Sequence, residues 1–175
     1  MMKEKKFEKT IEQKYIISLK LDEYCIYDSK IDGNKIIGFY TEGIVTCSCL
    51  IISINKDEII FFTHISEYSD IIHTINEKFI PLLRKTKIYD IKLIYTDGTS
   101  SLKNIKKINK IEEITNNIDE IFSSTKYVIK HDSVISCLKL INENNGLYYS
   151  QKFINVFHSD SIKVSFGISE EMSGS

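Results

Sequence analysis

An α+β fold is predicted by three observations. The first third of the chain consists of short apolar runs separated by turn residues, the spacing becomes helical after His64, and strand-like runs return beyond a second helical stripe. No repeat and no Pro- or Gly-rich linker interrupts the 175 residues, so they read as a single domain. The expected architecture is mixed, largely antiparallel β-sheet layers flanked by two main helices.

In chain order, residues 1–13 are expected to be loose. Strand-like runs then fall near Tyr15 to Leu19, Glu23 to Tyr27, Lys35 to Tyr40, Ile44 to Ile54 and Glu58 to Thr63. Asp32-Gly33-Asn34 marks one turn, and Asn55-Lys56-Asp57-Glu58 supplies turn chemistry between the last two runs. Ile71, Ile72, Ile75, Phe79, Ile80, Leu82 and Leu83 share one helical stripe, which Ser66 or Ser69 is placed to cap. Ile91 to Tyr95 reads as a strand closed by Thr96-Asp97-Gly98, and Ile111, Ile114, Ile118, Ile121 and Phe122 as a second amphipathic helix. Strands follow near Tyr127 to Lys130, Val134 to Ile141, Leu147 to Val156 and Ile162 to Phe166, with a loose tail over 169–175.

Composition narrows the function classes. Apolar residues make up 42% of the chain, enough for a sizeable core. Lys+Arg number 23 against Asp+Glu 24, a net charge of −1, so the global balance does not argue for a nucleic-acid or membrane partner. Lys103-Asn104-Ile105-Lys106-Lys107 reads as a solvated face. No apolar run approaches the roughly 20 residues of a membrane span, and the charged N-terminal stretch is unlike a signal peptide. A soluble, cytoplasmic protein is expected, with non-classical secretion as an effector left open. Cys25, Cys47, Cys49 and Cys137 are too few for a disulfide scaffold and are expected as thiols.

The chemistry-bearing residues are Thr41, Cys47 and His64. Cys47 heads an apolar run, and His64 ends the next one across a turn. Two antiparallel strands would bring thiol and imidazole together, and an imidazole beside a thiol takes its proton and stabilises the thiolate. Cys49 is the alternative nucleophile, since residues two apart on a strand share a face. A metal centre built on Cys47, Cys49 and His64, completed by His73 or Cys137, lacks paired C-x2-C knuckles, so neither metal nor cofactor is expected. His73, His131 and His158 read as surface residues, and Cys25 and Cys137 as packing residues. Tyr148, Tyr149 and Phe153 read as part of a core strand, with a partner face as the alternative.

Thr41 stands six positions before Cys47, and His64 seventeen after it, giving T-x5-C-x16-H with Gly43 two after the Thr. This pattern resembles the signature of the CheD family of chemoreceptor glutamine deamidases, and the order of elements is similar over roughly residues 35 to 168. Related Cys-to-His arrangements occur in protein N-terminal asparagine amidohydrolases and in cytotoxic-necrotising-factor toxins, whose spacing Cys49 to His64 resembles. The chain departs from the CheD pattern at Thr96-Asp97-Gly98, where CheD proteins carry Gly-Gly-Ala, and in lacking their downstream glycine-and-arginine segment. The resemblance implies a cysteine-dependent amidohydrolase with Cys47 as nucleophile, His64 as base and Thr41 orienting the ring. Its partner would be a protein substrate carrying Gln or Asn. An inactive deamidase-like binding module is the alternative.

Overall fold

The computed structural model describes residues 2–5, 15–32, 36–44, 46–96, 102–118, 125–129, 136–141 and 147–150. Their elements, in order, are β1 (Lys3–Glu4), β2 (Tyr15–Leu19), β3 (Glu23–Asp28), α1 (Ser29–Asp32), β4 (Ile36–Glu42), β5 (Ser48–Ile54) and β6 (Ile59–Ile65). There follow α2 (Ile71–Thr74), a π-helical turn (Ile75–Phe79), α3 (Ile80–Leu83), β7 (Ile91–Thr96), α4 (Leu102–Asn116), β8 (Thr125–Ile129), β9 (Ser136–Leu140) and β10 (Leu147–Ser150).

The strands form two sheets. One is six-stranded in the order β1-β3-β6-β5-β7-β8, the other four-stranded in the order β10-β9-β4-β2. Most pairings are antiparallel, while β1–β3, β2–β4 and β7–β8 are parallel. The predicted α+β class is therefore what the chain adopts.

Strands β5 and β6 explain the layering. Both are buried along their whole length, because each face of the six-stranded sheet is covered. Leu50, Ile52, Ile54, Phe61 and Ile65 on one face pack against Ile71, Ile75, Phe79, Leu83, Ile108 and Ile111 of the helices. The opposite face presents Cys49, Ile51, Ile60 and Phe62 to Ile17, Phe39 and Cys137 of the smaller sheet. Phe61 meets Phe79 at 5.2 Å between ring centroids, and Phe62 stacks on Phe39 at 5.3 Å, so one aromatic pair ties each layer to the central sheet. Among the described residues, no helix is long and apolar enough to cross a membrane.

Several expectations are corrected. The strand expected from Ile44 begins only at Ser48: β4 ends at Glu42 and Gly43 takes φ +75°. The N-terminus is held at its first residues, with Met2 buried and β1 paired to β3, whereas positions 6–13 lie outside the described residues. Helix α4 starts at Leu102, because Ile108 continues the buried stripe upstream of Ile111. Ser66 and Ser69 do not cap α2, whose N-cap is Asp70 without a side-chain bond; their hydroxyls go to Asp22. Gly33, Asn34, Asp97, Gly98, Ile121, Phe122, His131, Phe153, His158 and the stretches 162–166 and 169–175 lie outside the described residues.

Candidate active site

The chain crosses from the smaller sheet to the larger one twice at the same end of the molecule. The first crossing is the turn Leu21–Asp22 between β2 and β3, and the second is the loop connecting β4 to β5. Thr41 lies in β4 just before the second crossing, Cys47 lies within that loop, and His64 lies near the end of β6. The backbone path thus brings the three sequence-predicted residues to one place.

Thr41 and His64 meet directly. Thr41 Oγ1 lies 2.8 Å from His64 Nδ1 and also 2.8 Å from the carbonyl oxygen of Leu19. A carbonyl only accepts, so the hydroxyl proton goes to Leu19 O. The ring nitrogen must then donate to Thr41, which fixes the Nδ1–H tautomer of a neutral imidazole and leaves a lone pair on Nε2. That Nε2 is buried and finds no hydrogen-bond partner among the described residues. Burial lowers the imidazole pKa to about 4, partly offset by the negative charge of Asp22, so the ring is neutral near pH 7.

Cys47 shares a cleft of about 600 Å³ with His64, lined also by Leu19, Lys20, Glu23, Tyr40 and Glu42. The thiol is half-buried. Burial raises its pKa, the Thr46 hydroxyl pulls it back, and Asp22 adds to the rise. Thiol and imidazole are accordingly both uncharged at rest. Such a pair suits a base that takes the proton as sulfur attacks, in place of a preformed thiolate–imidazolium pair.

Cys49, the alternative nucleophile, stands directly across from His64 in the β5–β6 ladder. It is wholly buried between the sheets, next to Cys137, and does not line the cleft. The two cysteines take different positions because Cys47 lies outside the strand, so the rule that residues two apart share a face does not reach it. Cys25 and Cys137 are buried in the same core, and His73 is exposed on α2. Among the described residues no three His, Cys, Asp or Glu side chains converge as a metal site.

Asp22 was not singled out by sequence reasoning. Its main-chain N–H donates to the carbonyl of His64 at 2.9 Å. Its Oδ1 accepts from the hydroxyls of Ser66 and Ser69, in the loop that follows β6. Lys107 of α4 secures the same loop by donating to the carbonyls of Glu67 at 2.6 Å and Ser69 at 2.7 Å, so it is not simply a solvated charge. The one signal available in the sequence is the pair Leu21–Asp22 between two strand-like runs, which predicts a turn but no role.

Comparison of the sequence with protein-family models and with curated proteins gives no match.

Proposed function

We propose that the chain is a cysteine-dependent protein amidohydrolase, a deamidase acting on the side-chain carboxamide of Gln or Asn in a protein substrate. The observation that carries this reading is the tautomer. Thr41 gives its proton to Leu19 O, so His64 holds an Nε2 lone pair with no partner among the described residues, in the environment it shares with Cys47. The resemblance of T-x5-C-x16-H to the CheD signature supports the same assignment.

In this reading the Cys47 sulfur attacks the carboxamide carbon while its proton passes to His64 Nε2. The tetrahedral oxyanion is held by main-chain N–H groups of the loop at Cys47, whose amide lies ahead of the ladder that begins at the Ser48–Ile65 pair. The imidazolium returns the proton to the departing nitrogen, ammonia leaves, and a thioester remains. His64, neutral again, takes a proton from water, and hydrolysis of the thioester yields the carboxylate and restores the thiol.

The raised thiol pKa favours a second reading, an inactive deamidase-like binding module in which Cys47 only packs. One experiment separates them. Ammonia release is measured from a peptide library carrying internal and N-terminal Gln and Asn, with wild type, Cys47→Ser, Cys49→Ser and His64→Asn, and with hydroxylamine added to trap a thioester as a hydroxamate. Release by wild type and Cys49→Ser alone, with hydroxamate formed, is the expected result. Equal release by wild type and Cys47→Ser would leave the binding module standing.

A further inference from the structure

Thr41 is an unusual partner for a histidine base, because a neutral hydroxyl orients the ring without compensating the charge it gains. An acidic residue that is hydrogen-bonded to His64 through its main chain is Asp22. It occupies the turn where the chain first crosses between the sheets, at φ +62°, a conformation that Asp and Asn tolerate better than most residues. Its N–H holds the His64 carbonyl, and its Oδ1 gathers Ser66 and Ser69. The turn before β3 and the loop after β6 are thereby joined around the strand end that carries His64.

We propose that Asp22 is the positioning residue of the Cys47–His64 pair: its main chain fixes the strand end, and its carboxylate supplies the negative charge that Thr41 lacks. Its effect on both groups has one sign. A nearby negative charge favours the protonated ring and the protonated thiol, so Asp22 adds to the burial that keeps Cys47 a thiol at rest, and it opposes the burial that disfavours the imidazolium once the proton has moved. The other charged groups facing the pair are Lys5 after β1, Lys20 after β2, Glu23 on β3 and Glu42 on β4, with Lys107 of α4 on the far side of the Asp22 loop. Of the two carboxylates in the cleft, Glu23 Oε1 accepts from Lys20 N at 2.7 Å and Glu42 Oε2 from the Tyr40 hydroxyl at 3.1 Å. Asp22, in addition, holds the His64 carbonyl through its own main-chain N–H.

The inference rests on the proposed reaction only for what the charge is used for; the charge itself is tested without substrate. Asp22→Asn keeps the left-handed turn and an oxygen for Ser66 and Ser69 while removing the charge. Ser69→Ala loosens the loop while keeping the charge. Alkylation of Cys47 by iodoacetamide is followed against pH by peptide mapping in both variants and in wild type, with unfolding midpoints recorded alongside. The expected result is a lower pH of half-maximal alkylation in Asp22→Asn alone, so that its thiol reacts up to about tenfold faster near neutrality, one pH unit being a factor of ten. An Asp22→Asn profile that overlays wild type, or an equal shift in Ser69→Ala, would overturn the proposal. A shifted profile together with no ammonia release from any peptide would sink the proposed reaction and leave the role of Asp22 intact.

Discussion

Thr41 Oγ1 receives a hydrogen bond from His64 on one side and gives one to Leu19 on the other, both at 2.8 Å, and is 1% exposed. Thr41→Val keeps the shape and removes both bonds, leaving the ring N–H buried without its partner. The expected cost is about 1–3 kcal/mol in a denaturant titration, with Thr41→Ser retaining most of the stability. His64 carries a second consequence. Its folded pKa of about 4 lies below the ordinary 6.5, so between these values the unfolded chain binds a proton that the folded chain does not. Its share of the stability is therefore whole above pH 6.5 and is lost as the pH falls toward 4, in total about 3 kcal/mol at 1.36 kcal/mol per unit. His64→Asn, which keeps an N–H for Thr41, is expected to flatten that part of the stability–pH curve. An unchanged slope between pH 6.5 and 4 in the variant would show that His64 is not the group responsible.

At the scale of elements, β4 is where packing leaves least freedom. Gly38 pairs with Leu140 of β9, and a Cβ there would overlap the Lys139 carbonyl and press on Leu140 Cδ2 at 3.1 Å. The obstacle is backbone, so Gly38→Ala must push β4 away from β9. A loss of about 1–3 kcal/mol is expected, with Thr41 displaced enough to slow Cys47 alkylation. The sequence carries no sign of this at Gly38, which reads as one small residue in an apolar run. Continuous apolar runs on either side of a turn, by contrast, made β5 and β6 legible, and the turn residues Asn55, Lys56 and Asp57 do all take positive φ. The stripe of Ile71, Ile75, Phe79, Ile80 and Leu83 announced a helix, but not the π turn that keeps all five buried on one side of the sheet. The assignment of strands to two sheets was hidden because it depends on long-range pairing, as between β2 and β4. The spacing of Thr41, Cys47 and His64 singled out residues that the fold brings to one end of the sheets, whereas Asp22 meets His64 through a main-chain bond that no residue pattern encodes.

Polar ties join the two sheets at both ends of the β5–β6 hairpin. One is the His64–Thr41 bond at the cleft. The other is at the β5–β6 turn, where Lys139 Nζ of β9 reaches Asp57 Oδ2 at 2.6 Å, with side chains only 2% and 7% exposed. Asp57 is held in turn by the Ser53 hydroxyl, and Lys139 also donates to the Leu140 carbonyl at 2.8 Å. Below the pair the turn is anchored by Asn55, whose Oδ1 accepts from the main chain of Tyr89 and Asp90 and whose Nδ2 donates to the Lys87 carbonyl. A buried ion pair adds little over well-packed apolar groups, but losing one member strands the other charge in the core at about 3–5 kcal/mol. Lys139→Met is therefore expected to be strongly destabilising. Lys139→Met with Asp57→Asn is expected to recover much of the loss, since Asn keeps an oxygen for Ser53, tolerates the turn's φ of +69° and carries no charge. The check is the midpoint of denaturant unfolding at constant slope. Because this tie lies at the turn end of the β5–β6 hairpin and His64 at the opposite end, the pH profile of Cys47 alkylation is expected to stay as in wild type under conditions where the double variant is folded. A double variant no more stable than Lys139→Met would mean that the single loss comes from the Lys139 stem and its packing, with the stranded Asp57 charge costing little.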